Sequence, residues 1–87
     1  MTRDIIHTVI SAIAVVKEIP AESITLDQSF EDLGMDSLDG LNVVFELEKA
    51  FDIKISTEDA MVVRGVRDIA EHMQRVLSER DSRSASV

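Results

Sequence analysis

The sequence predicts an all-α domain, a four-helix bundle with three main helices, a short third helix and a long loop between helices one and two. Three observations point there. Apolar residues recur at helical spacing near both ends of the chain, and no two alternating segments exist that could pair as a sheet. The hydrophobic content is 45%, yet with three Phe, no Trp and no Tyr the interior falls to Ile, Val, Leu, Met and Ala, a composition suited to helices packed on helices. At 87 residues there is material for one core, and the domain is expected over residues 1–78 with a mobile tail over 79–87.

Helix one is expected over about residues 3–18, because Ile6, Val9, Ile10, Ile13 and Val16 fall at i, i+3, i+4, i+7 and i+10. Pro20 cannot continue it and biases Ile19 out of the helical region. Ile24, Leu26, Phe30 and Leu33 are then too irregularly placed for a strand and too apolar for a free linker, which suggests a packed loop with a turn at Ser29–Asp32. Asp36 supplies an N-cap oxygen and Asp39, three residues on, completes a carboxylate variant of the capping box. Helix two should therefore begin there and run to about Phe51, with Leu41, Val43, Val44, Leu47 and Phe51 on one arc and Asp39, Asn42, Glu46 and Lys49 opposite. Ile53 and Ile55 alternate with Asp52 and Lys54, but without a partner segment they read as an extended loop. Ser56 caps a short third helix that should end near Gly65. Val66, Ile69, Ala70, Met73, Val76 and Leu77 mark helix four, and after Leu77 the apolar periodicity stops.

Nine Lys and Arg against seventeen Asp and Glu leave a net charge of −8, which repels phosphate backbones and anionic lipid. Neither a nucleic acid nor a membrane is an expected partner; basic patches on other proteins are. The apolar run Val9–Val16 imitates the core of a signal peptide, but Asp4, His7, Lys17 and Glu18 flank it and it is far short of the ~20 residues of a membrane span, so the expected location is the cytoplasm. With no cysteine, the chain offers no disulfide, no thiolate metal ligand and no thiol nucleophile, and any sulfur chemistry must come with a cofactor.

The informative segment is Gly34-Met35-Asp36-Ser37-Leu38-Asp39, in which a serine opens a helix between two carboxylates after a glycine turn. Simple capping explains much of it. A hydroxyl at the first helical residue is also held outward, where a phosphate ester would meet unpaired backbone N–H groups and the positive end of the helix dipole. Continued through Leu41, Leu47-Glu48, Phe51-Asp52-Ile53 and Ile55 into a capped short helix and a closing helix, the pattern resembles the acyl carrier protein family over about residues 3–78. The resemblance implies that Ser37 is the attachment point for 4′-phosphopantetheine taken from coenzyme A, whose terminal thiol holds acyl groups as thioesters. It further implies that Asp36 and Asp39 are part of the surface met by the phosphopantetheinyl transferase, and that Leu38 belongs to the partner-recognition surface. Leu41, Phe45 and Glu48 would face acyl- or aminoacyl-loading and transferring enzymes with basic docking patches. Leu47, Ile55, Ala60 and Val63 would contact an acyl chain slipped between helices two and three.

The implied function is that of a non-enzymatic carrier, expected to be a monomer, that shuttles intermediates in fatty-acid, lipid or secondary-metabolite synthesis. An aminoacyl or peptidyl carrier, and a small acidic helical adaptor without a prosthetic group, are the alternatives. Asn42, Lys49, Lys54 and Met61 stand where the fatty-acid members carry acids, and Gly40 sits within a helix at a cost of about 1 kcal/mol, features that favour a specialised carrier. A serine hydrolase is disfavoured, since no Gly-x-Ser-x-Gly elbow exists and His7 and His72 fall on distant helices, where each is expected at a surface or boundary position. An EF-hand aligned on Gly40 would use Asp39 and Glu46 but needs Met35 as its first ligand, which a hard cation rejects. No metal site is expected.

Overall fold

The computed structural model describes residues 3–85, without the side chains of Thr57 and of residues 80–85. Four α-helices are present and, among the described residues, no strand: α1 is Arg3–Lys17, α2 Ser37–Phe51, α3 Thr57–Val62 and α4 Val66–Ala85, with a single 3₁₀ turn at Ala21–Ser23. α1 packs against both α2 and α4, and α3 packs against α2. The expected all-α bundle with a short third helix and a long first connection is therefore the observed one. No helix among the described residues is long and apolar enough to cross a membrane.

One core joins the elements: Ile5, Val9, Ala12 and Ile13 from α1, Ile24 from the loop, Val43, Val44 and Leu47 from α2, and Val66, Ile69, Ala70 and Met73 from α4. The buried line of α1 is rotated from the expected stripe, since Ile5 and Ala12 are inside while Ile6, Ile10 and Val16 are half-buried. Contacts on two sides bury a wider arc than spacing resolves, and Ala12 is small enough to sit where helices come close. On α2, Val43, Val44 and Leu47 are fully inside, but Leu41 is 37% exposed because the first turns of the helix pass beyond the core. Helix four keeps its expected core face, with Val76 and Leu77 half-buried towards its far end.

The long loop is held by its own polar groups. Ser29 N–H donates to Asp32 Oδ2 (3.1 Å) and Asp32 N–H to Ser29 Oγ (3.0 Å), the expected turn closed reciprocally. The loop is also tied to the α3–α4 junction: Phe30 N–H donates to the Arg64 carbonyl (2.9 Å) and Val66 N–H to the Gln28 carbonyl (3.1 Å), with Ser29 and Gly65 forming an isolated antiparallel bridge. This tie stops α3 at Val62, short of the expected end, by drawing Val63 into an extended conformation. Arg67 adds an exposed bond to Asp27 (2.7 Å), and that hydrogen bond, with the attraction of the carboxylate, raises the guanidinium pKa.

A second boundary also differs from the expected one. α4 continues past Ser78 to Ala85, because extending a formed helix adds a hydrogen bond per residue and nothing from 78 to 85 is Gly or Pro. The last two residues of the expected tail, like residues 1 and 2 of the domain, lie outside the described ones. His72, expected at a surface or boundary, is 7% exposed.

Candidate functional site

Ser37 is the first residue of α2 and is exposed. Its placement is local chemistry. Gly34 adopts φ +70°, a backbone region that side-chain-bearing residues rarely enter, and so turns the chain towards the helix start. Asp36, in extended conformation, accepts from Asp39 N–H at 2.8 Å through Oδ1, while Asp39 Oδ2 accepts from Asp36 N–H at 3.3 Å, so the expected capping box is complete. The first helical bond runs from Gly40 N–H to the Asp36 carbonyl (3.1 Å), which leaves the N–H groups of Ser37 and Leu38 open beside the serine hydroxyl. Those donors and the helix dipole suit an anionic ester on Ser37 Oγ.

A cleft of about 730 Å³ opens at Ser37 between the loop, the start of α2 and the end of α3. Phe30, Met35, Leu41, Ala60, Met61 and Val63 give it an apolar wall, and Glu31, Asp36 and Arg64 give it charge. Gly40 lines it too, with nothing within 4 Å of where a Cβ would be, so packing does not require glycine there. Of the residues expected around an acyl chain, Ala60 and Val63 border this cleft. Leu47 lies in the core with no exposed surface, and Ile55 is half-buried against it.

The residues expected to meet partners divide into two groups. Asp36 at the N-cap and Leu38 (64% exposed), Leu41 and Phe45 (55% exposed) on α2 form an open face, and the exposed Met61 of α3 shares the cleft with Leu41. Asp39 and Glu48 are engaged internally: Asp39 pairs with Lys17 Nζ at 3.3 Å, and Glu48 Oε2 accepts from Ile55 N–H at 2.8 Å, holding the extended segment after α2. Asn42, Lys49, Lys54 and Met61 are all exposed, with Lys49 paired to Glu46 at 3.1 Å. Lys17 was not marked by the sequence, since a basic residue in a last helical turn reads as a response to the helix dipole. Its approach to Asp39, 22 positions away, arises only when α1 packs on α2.

Neither histidine lines the Ser37 cleft. His7 is exposed, and His72 borders a separate hollow with Val62, Val63, Asp68, Glu71 and Arg75. Arg75 Nη2 lies 3.4 Å from His72 Nδ1, and because arginine only donates, Nδ1 accepts and the neutral ring carries its proton on Nε2. That atom is buried without a hydrogen-bond partner, 3.9 Å from Asp59 Oδ2. Among the described residues no group of three His, Cys, Asp or Glu is placed to hold a metal ion.

An exposed serine at a capped helix start, with open amides and an apolar cleft but no histidine base beside it, describes a helical carrier domain. Comparison with known proteins makes that class specific. Residues 7–73 match the family model described as "Phosphopantetheine attachment site", and the chain belongs to this family. An acyl carrier protein of Syntrophus aciditrophicus (strain SB) is 40% identical over 58 residues, 66% of this chain and 72% of the relative. Another, from Onion yellows phytoplasma (strain OY-M), is 44% identical over 64 residues, 72% of this chain and 84% of the relative. Among solved structures, a Mycobacterium tuberculosis protein (Rv0033) described as a candidate acyl carrier protein superposes with a TM-score of 0.68 at 33% identity, over 75% of this chain and 88% of that one. The prosthetic group of the family is 4′-phosphopantetheine, and the open amides, the outward hydroxyl and the adjoining cleft fit it.

Proposed function

We infer that this chain is an acyl carrier protein that bears its prosthetic group on Ser37 and passes thioester-bound intermediates between enzymes without catalysing a reaction itself. The observation that carries the reading is the exposed Ser37 at the first position of α2, closed by the Asp36–Asp39 box and bordering the cleft. Ser37 Oγ would hold the phosphodiester, and the Ser37 and Leu38 amides would donate to it. The group supplies a thiol, which the chain itself lacks. Asp36 and the open face of Leu38, Leu41 and Phe45 are the surface for the phosphopantetheinyl transferase and for acyl-handling enzymes, whose basic patches the net charge of −8 attracts. Ala60 and Val63 form the outer part of an acyl-chain path. Leu47 and Ile55 come into reach of cargo only if α2 and α3 part.

Within this reading a specialised pathway is favoured over housekeeping fatty-acid synthesis, because the neutral or basic residues Asn42, Lys49, Lys54 and Met61 are exposed rather than buried in the fold. Intact mass after incubation with coenzyme A and a promiscuous transferase tests the assignment. One phosphopantetheine adduct on the wild type and none on Ser37→Ala, with stability unchanged within about 0.5 kcal/mol, is the expected result. A wild type that takes no adduct would leave a helical adaptor without a prosthetic group.

A further inference from the structure

We propose that Lys17 is a positioning residue for the loading of Ser37. Its ammonium fixes the turn that presents the serine and withdraws Asp39 from partner docking, leaving Asp36 as the acid that the loading enzyme reads. The role rests on the reading of Ser37 as the attachment point.

Lys17 ends α1, and its Nζ lies 3.1 Å from the Gly34 carbonyl and 3.3 Å from Asp39 Oδ2. Those two acceptors bracket the serine, three residues before it and two after. One cation thus ties both sides of the loading segment to a different helix. The pair is not a solvated surface contact of the kind that contributes little: the Lys17 and Asp39 side chains are 24% and 26% exposed, whereas the Lys49–Glu46 pair on the outer face of α2 is 72% and 38% exposed. Complementing the dipole of α1 would require only a positive charge near its last carbonyls, not two acceptors from residues 34 and 39. Asp39 Oδ2 already accepts from Asp36 N–H, so the same oxygen serves the capping box and the staple.

The electrostatic consequence is asymmetric. Asp36 and Asp39 flank the serine almost symmetrically in sequence, yet Asp39 is neutralised by a half-buried cation while Asp36 is exposed and, among the described residues, has no ion-pair partner. A docking enzyme with a basic patch is therefore attracted by Asp36 and gains little from Asp39.

The test uses the full chain with a phosphopantetheinyl transferase and saturating coenzyme A; the new ester bond at Ser37 Oγ replaces the pyrophosphate bond of coenzyme A, and adenosine 3′,5′-bisphosphate leaves. Lys17→Met should speed amide exchange across residues 34–40 and lower kcat, each by about fivefold, the scale of one ordinary net hydrogen bond, while helicity is retained. Lys17→Arg should restore both to within about twofold, since guanidinium can serve the same acceptors. Asp39→Asn keeps an oxygen for the cap but removes the charge that holds the Lys17 ammonium, so it should lower kcat in the same direction as Lys17→Met, by less, with KM nearly unchanged. Asp36→Asn should raise KM several-fold, by an amount that shrinks with salt. Unchanged exchange and kcat in Lys17→Met, or equal rises in KM for Asp36→Asn and Asp39→Asn, overturn the proposal while leaving the carrier reading intact. Absence of any adduct on the wild type overturns both, and the exchange data then report only on the staple.

Discussion

Leu47 tests the architecture most directly, because family resemblance would place it beside a cargo whereas the structure places it in the core. Its side chain has no exposed surface and packs among Val43, Val44 and the residues that α1 and α4 contribute to the same core. Truncating such a leucine to alanine removes apolar transfer free energy and leaves a cavity, a combined cost of about 3–5 kcal/mol. A chain of this length has a total stability of roughly 4–13 kcal/mol, so Leu47→Ala should remove about a quarter of it or more. Each 1 kcal/mol moves the midpoint of a small domain by about 4–8 °C, so thermal melting followed by circular dichroism should show a fall of at least about 12 °C in the apo protein. Phe45→Ala, at a position 55% exposed on the same helix, is the control and should cost less than about 1 kcal/mol. If Leu47→Ala lowers the midpoint no more than Phe45→Ala, the leucine faces an open path between α2 and α3 and the packing described above is wrong.

The glycines give opposed expectations. Gly65→Ala would put a Cβ 3.1 Å from the Gln28 carbonyl in the tie between loop and α4, costing about 1–3 kcal/mol, whereas Gly40→Ala meets nothing within 4 Å and should stabilise α2 by about 0.5–1 kcal/mol; urea melts of both variants check the pair. Self-repulsion at a net charge of −8 should make the thermal midpoint rise through a sodium or magnesium titration, and a flat or falling midpoint would show that other terms dominate. The triple variant Asn42→Glu, Lys49→Glu, Lys54→Glu should be a better substrate than the wild type for a generic fatty-acid ketosynthase or malonyl transferase, chiefly at low salt. It also replaces the Glu46–Lys49 attraction with a like-charge pair, at a small cost in helix stability. Equal rates on both forms would return the chain to the housekeeping class.

What the sequence determined by itself was everything set by local chemistry and short spacing. The helix start at Ser37 follows from Asp36 and Asp39 three residues apart, the turn before it from a glycine at positive φ, and the core face of α4 from Val66, Ile69, Ala70 and Met73. These depend on neighbours within four residues, so the spacing carries them. Only the tertiary structure decided which arc of α1 is buried, because its apolar surface is wider than one stripe and the choice belongs to the helices packed on both sides. It also decided the end of α3, which is set by the Phe30–Arg64 and Gln28–Val66 backbone bonds between segments more than thirty residues apart. The same holds for the carboxylates: Asp36, Asp39 and Glu48 are alike as letters, but a lysine from α1 takes Asp39 and the Ile55 amide takes Glu48, so only Asp36 stands open beside the serine. Charge in a sequence is a property of residues, whereas charge available to a partner is what remains after the fold has paired its own.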